Sequence, residues 1–150
     1  MDYNDILNTL APCGLNCKKC FAHTNGEIRK HSLKLKEKLG NFESYAKRFE
    51  ILLNNPVFSK YNDFKVLLDY FASENCQGCR KETCKLFTDC GVRSCHQKMG
   101  VDFCFQCKDF PCEKTNFDEN LQKRWMQLNN EIRVKGIESY YVETKDTPRY

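Results

Sequence analysis

Between Asn75 and Glu113 the chain carries eight cysteines and no apolar run long enough for a regular sheet. A segment so poor in apolar matter cannot organise itself by burial alone, so cross-links or metal must shape it. Three further cysteines stand near the start. The full set is Cys13, Cys17, Cys20, Cys76, Cys79, Cys84, Cys90, Cys95, Cys104, Cys107 and Cys112, eleven in 150 residues. Three pairs have the C-x-x-C spacing, Cys17 to Cys20, Cys76 to Cys79 and Cys104 to Cys107. That spacing lets two thiolates from one tight turn grip a single soft ion. All eleven are therefore candidate metal ligands.

The choice between disulfides and metal follows from the compartment. The first residues lack a basic leader followed by an apolar run, and no stretch approaches the roughly 20 apolar residues that cross a bilayer. The chain is expected in the cytoplasm, away from membranes, where disulfides are rare and thiolate metal sites persist. An odd count also leaves a pure disulfide framework with one unpaired thiol. The formal charge of +4 is weak support for a polyanionic partner. Eight thiolates holding two zinc ions would remove about four charges and bring the protein near neutrality.

The apolar and charged fractions, 41% and 29%, are those of an ordinary soluble protein, and the length fits a single domain over 1–150. From about 24 to 73 the pattern is helical. One helix runs through Ile28, Leu35 and Leu39 to Gly40, a residue suited to the left-handed cap position. A second, capped by Asn41, places Phe42, Tyr45, Ala46, Phe49, Leu52 and Leu53 at helical spacing and ends before Pro56. A third carries Phe58, Tyr61, Phe64, Leu68 and Phe71 on one face, widened by Val57 and Leu67. Aromatic residues at such spacing are expected in the core rather than along a ligand groove.

In the cysteine-rich parts, 13–20 and 76–112, Leu86, Phe87, Val92, Met99, Val101, Phe103, Phe105 and Phe110 are expected to dress the metal sites. Val92 to Lys98 is predicted as a short helix carrying Cys95. A last helix over about 116–135, capped by Thr115 or Asn116, presents Leu121, Trp125, Leu128 and Ile132 and stops at Gly136. For the tail beyond it, a helix, a strand and a docked extension all remain open. The fold class expected is mainly α: a small helical domain with a loop-rich, metal-stapled segment.

A structural zinc site wants four ligands, and a C-x-x-C turn supplies two, so each site draws a second pair from elsewhere. Zinc is the expected metal, with an iron-sulfur cluster as the alternative. Two tetrathiolate sites leave three cysteines over. These could join a histidine, leave an open position or stay free, and His23 and His96 are the candidate extra ligands. Cys13, Cys17 and Cys20 have the C-x-x-x-C-x-x-C spacing with which radical S-adenosylmethionine enzymes hold a cluster, yet the helical residues that follow supply no α/β barrel. No Gly-rich phosphate loop, H-E-x-x-H or G-x-S-x-G occurs, and no carboxylate pair stands out for acid-base work. Lys30, Lys34, Lys36 and Lys38 form a basic face read as solvated surface.

The motifs resemble a known family. Cys13-Gly14-Leu15-Asn16-Cys17-Lys18-Lys19-Cys20, Cys76-Gln77-Gly78-Cys79 and Cys90-Gly91-Val92-Arg93-Ser94-Cys95 are similar to elements of the small cysteine-rich proteins grouped as domain of unknown function 3795. So is the run from Cys104 to Lys114 that contains Phe110-Pro111-Cys112-Glu113. Two departures stand out: Cys84 lies six positions before Cys90, where members commonly have a two-residue gap, and His96 replaces a small residue. The resemblance implies cysteine ligation and assigns no activity. Three functions are therefore carried, in order: a zinc-binding adaptor or regulatory module with another protein as partner, an iron-sulfur redox or cluster-dependent enzyme using Cys13, Cys17 and Cys20, and a nucleic-acid-binding zinc module.

Overall fold

A computed structural model describes residues 2–150, and it is mainly helical: among the described residues there are seven α-helices, three short 3-10 turns and no strand. An isolated antiparallel bridge pairs Leu10 with Asn16. The contacts divide the chain into two compact units, one formed by the chain up to Cys20 together with Cys76–Tyr150, the other by Phe21–Asn75. No helix among the described residues is long and apolar enough to cross a membrane.

The unit Phe21–Asn75 holds α2 (Glu27–Leu39), α3 (Glu43–Leu52), a 3-10 turn (Pro56–Lys60) and α4 (Tyr61–Ser73). Gly40 ends α2 with φ 50°, as its position predicts, although its ψ of −119° lies outside the left-handed helical region. Phe42 rather than Asn41 precedes α3; the Asn41 side chain instead accepts from Ser44 Oγ at 2.8 Å. Pro56 starts a 3-10 turn that takes Phe58 out of the following helix. α2 packs against α4, and Lys36 on one pairs with Asp69 on the other at 2.8 Å.

The core expected from the aromatic stripes is only partly formed. The buried residues of this unit's helices are mostly small, Ser32, Ala46 and Ala72 with Leu68. The rings of Phe42, Phe49, Phe58 and Tyr61 pack on one another, Phe42 and Tyr61 at 5.0 Å between centroids. Tyr45, Leu52, Leu53, Val57, Phe64 and Leu67 are exposed. α2 packs on α4 and α3 chiefly on the 3-10 turn, which leaves the outer half of each stripe exposed.

The other unit contains α1 (Tyr3–Thr9), α5 (Val92–Met99), α6 (Glu119–Lys135) and α7 (Ile137–Thr144), plus 3-10 turns at Cys17–Lys19 and Cys104–Gln106. The tail is thus helical in its first half. Asp118, not Thr115 or Asn116, caps α6, accepting from Asn120 N and Leu121 N at 2.9 and 3.1 Å. A carboxylate there also complements the helix dipole. Gly136 ends α6 at φ 80°. Ile6, Leu10, Phe103, Ile132 and Tyr140 form one buried cluster, and Ala11, Cys13, Leu15, Val92, Phe110 and Trp125 form another. Against the second cluster pack Cys17, Cys79, Cys90, Cys104, Cys107 and Cys112.

Candidate metal centre

All eleven cysteines are free thiols, and all eleven lie in the unit just described. Two of the C-x-x-C turns adopt the same backbone. In each the first cysteine's carbonyl accepts from the last cysteine's N–H, at 2.9 Å for Cys17 and Cys20 and 3.0 Å for Cys104 and Cys107. The closing residues have nearly identical dihedrals, −70° and 135° at Cys20 and −71° and 135° at Cys107. Side-chain amides hold both turns: Asn16 accepts from Lys19 N, and Gln106 accepts from Asp102 N and Phe103 N. In the third, Gly78 has φ 97°, a conformation strained for any other residue, and its N–H donates to Cys76 Sγ at 3.4 Å.

The thiols gather in two neighbourhoods. In the first, the Cys79 thiol neighbours those of Cys17 and Cys84, its one proton shared between them. Receiving that hydrogen bond brings Cys17 down to about 7 and Cys84 down to about 6, against the opposing push of burial. Arg149 nearby favours both thiolates, and Leu86 and Phe87 N–H groups favour that of Cys84. Cys79, as the donor, is pushed far up. Burial raises Cys76 to about 11. Cys84, whose loop departs from the family spacing, is thus a full member of this group.

In the second neighbourhood, Cys95, Cys104, Cys107 and Cys112 line one small cavity of about 20 Å³ with His96, Met99, Val101, Phe110 and Trp125. α5 brings Cys95, and the 3-10 turn brings Cys104 and Cys107. Gln122 on α6 holds the Cys112 carbonyl at 2.9 Å. Burial raises Cys104 to about 11, with the Trp125 indole pulling the other way. Cys13 and Cys90 are also pushed up by burial. Cys13 feels charge on Cys17, Cys104 and Cys90, which draws from both neighbourhoods. Cys20 receives the Tyr150 hydroxyl at 3.9 Å. Cys17 thus has Cys79 and Cys84 as neighbours, and its charge also acts on Cys13.

The donor chemistry fits a soft ion, since thiolates select zinc and iron-sulfur centres. The positions are not preformed: among the described residues no group of three or more His, Cys, Asp or Glu side chains already has ion-holding geometry. Of the two candidate histidines, His96 lies at the second cavity with Nδ1 3.0 Å from Val101 O and a buried Nε2 lacking a hydrogen-bond partner. His23 is buried in Phe21–Asn75, where its Nδ1 accepts from Asn25 N at 3.2 Å. The basic face of α2 is partly neutralised, with Lys30 against Glu27 and Lys36 against Asp69, both at 2.8 Å.

Sequence reasoning missed Asn129. It is fully buried, its amide nitrogen donates to Cys13 O at 2.9 Å and Trp125 O at 2.8 Å, and its oxygen accepts from Phe105 N at 3.0 Å. One side chain thus joins α6 to both cysteine-bearing ends of the unit. The available signal was a polar residue standing four after Trp125 and three before Ile132, inside the apolar stripe. Gly91 was also underread. Its N–H donates to Thr115 O at 3.0 Å, and a Cβ there would meet Lys114 O at 2.1 Å.

No curated protein and no solved structure matches the chain. A family model does match, over residues 9–117, from the first cysteine triplet to the residue before the α6 cap. The chain belongs to the family of proteins of unknown function DUF3795.

Proposed function

We propose that this is a zinc-binding protein of the cytoplasm, a non-catalytic adaptor or regulatory module in which cysteine-held ions are architectural. The observation that carries the reading is the confinement of all eleven free cysteines to one unit, with thiols from distant segments in two neighbourhoods. Zinc suits thiolate donors in a reducing compartment and needs no redox partner. On this reading Cys17, Cys79 and Cys84 contribute to one site, and the cysteines lining the second cavity contribute to another. Each ion joins loops that would otherwise have little to hold them.

Another protein is the proposed partner. Exposed apolar residues such as Ile51, Leu53 and Val66 support a protein contact, and the ion-paired lysines of α2 weigh against nucleic acid. The test is elemental analysis with a visible spectrum on protein purified without oxygen and without added metal. Bound zinc and a colourless solution support the proposal. Iron with acid-labile sulfide and visible absorption overturns it in favour of a cluster protein.

A further inference from the structure

The second cavity holds an unusual pair of groups. Trp125 is 1% exposed, and its Nε1–H lies against Cys104 Sγ without closing a regular hydrogen bond and without an oxygen or nitrogen acceptor. His96 Nε2 is likewise buried and unpartnered at the same cavity. A buried donor and a buried acceptor left unpaired each cost on the order of 1–3 kcal/mol, so a cavity that keeps both is built around something. The space of about 20 Å³ admits one atom-sized guest.

Resting on the zinc reading above, we propose that Cys95, Cys104, Cys107 and Cys112 share one soft divalent cation in this cavity, and that the Trp125 indole N–H is the outer donor that positions the Cys104 thiolate. An indole N–H is donor-only, so the chemistry it calls for is an anionic acceptor, and a metal-bound thiolate is one. Trp125 is itself fixed by Phe110, edge-on at 4.8 Å, and by the Asn129 bond to its carbonyl. Cys95 and His96 are neighbours on α5 and both line the cavity, but four ligands complete a tetrahedral site, so with Cys104, Cys107 and Cys112 only one of them is the inner ligand. Cys95 is close enough to act electrostatically on Cys104, and it completes four thiolates. His96, its ring fixed through Nδ1 by Val101 O and its Nε2 unpartnered, is the rival for the fourth position, and the His96→Ala variant decides between them.

The chain contains one tryptophan, so its fluorescence reports on this cavity alone. The experiment strips the full-length protein of metal and titrates it with Co(II), then Zn(II). It follows Trp125 emission and the thiolate-to-cobalt charge-transfer band in the parent and in Cys95→Ser, Cys104→Ser, His96→Ala and Trp125→Phe. The expected result is an emission change that saturates with a single ion. Each cysteine variant loses that ion and keeps any others, while His96→Ala keeps it. Trp125→Phe retains the ring and the ion but shifts the cobalt band and weakens binding about 10-fold, the scale of lost outer-shell donors. If no variant and no parent binds metal, the zinc reading itself fails. If metal binds while emission stays unchanged, or if His96→Ala loses the ion that Cys95→Ser keeps, only this assignment is overturned. A trapped water in place of the ion gives the same emission with and without metal, and it too overturns the assignment.

Discussion

The two units of this chain solve the same problem with different materials. In Phe21–Asn75, helices of ordinary sequence bury mostly small residues and pack rings on one another, leaving Ile51 at 80% exposure and Val66 at 69%. In the cysteine-bearing unit the loops have few apolar residues, yet Trp125, Phe103, Ile6 and Ile132 are almost completely buried. There, polar side chains do the joining: Arg80 binds Leu10 O and Asp102 O, Gln122 binds Cys112 O, and Asn129 binds Cys13 O. Regular helices need only a face to bury. Irregular loops need each backbone group answered individually, and metal would answer for the thiols.

Metal removal should separate the units most sharply. On the zinc reading, chelation costs the cysteine-bearing unit on the order of 10 kcal/mol per structural ion. Hydrogen exchange followed by mass spectrometry on the intact chain should then show lost protection across 76–115, with α2, α3 and α4 little changed. Equal loss in both regions, or none, would sink the contrast.

Next in size come the two positions where backbone is held by one group. Asn129→Leu leaves the Phe105 N–H and the Cys13 carbonyl without their partner, and two buried orphans should cost about 4 kcal/mol. Gly91→Ala drives a methyl to 2.1 Å from the Lys114 carbonyl, so the loop must move and the Thr115 bond must break, at about 3 kcal/mol. Urea melts of the metal-loaded protein measure both. Parent-like midpoints for either variant would show that the loops are held some other way.

A matched change in the helical unit should cost less. Leu68 is 6% exposed and sits beside Ala72 on α4, so Leu68→Ala removes buried methyl groups, but the thinly packed unit can collapse around the gap. About 2 kcal/mol, the low end for such truncations, is expected from the same melts. A cost above that of Asn129→Leu would reverse the comparison.

How legible each unit was follows from the same physics. Helices α2 and α6 were readable because periodicity, Gly40 and Gly136 are local signals, and the cysteine motifs were readable because spacing is local too. Which cysteines meet was not readable. Cys17 joins Cys79 and Cys84 across more than fifty residues of intervening chain, a long-range fact that no spacing encodes. Burial of the stripes in α3 and α4 was overread, because amphipathic spacing says which face is apolar and not whether enough structure exists to cover it. Asn129 broke the pattern of its helix for a reason visible only once Cys13 and Phe105 were brought beside it.

The smallest expected effect is the most pointed probe of the helical unit. Ile51 lies near the end of α3 and is 80% exposed, so Ile51→Ser removes almost no buried area in the isolated chain. Its cost to stability should stay within about 0.5 kcal/mol, the range of ordinary surface changes. A protein partner of the kind proposed above would, however, cover such residues. Leu53 and Val57, which are 60% and 59% exposed, extend the apolar surface beyond the end of the helix. Melting the parent and the variant side by side checks the first half of this statement. A loss above about 1 kcal/mol, well outside the surface range, would mean that Ile51 is already covered within the folded chain. In that event the contrast between a thinly packed helical unit and a densely tied cysteine unit fails where it was drawn.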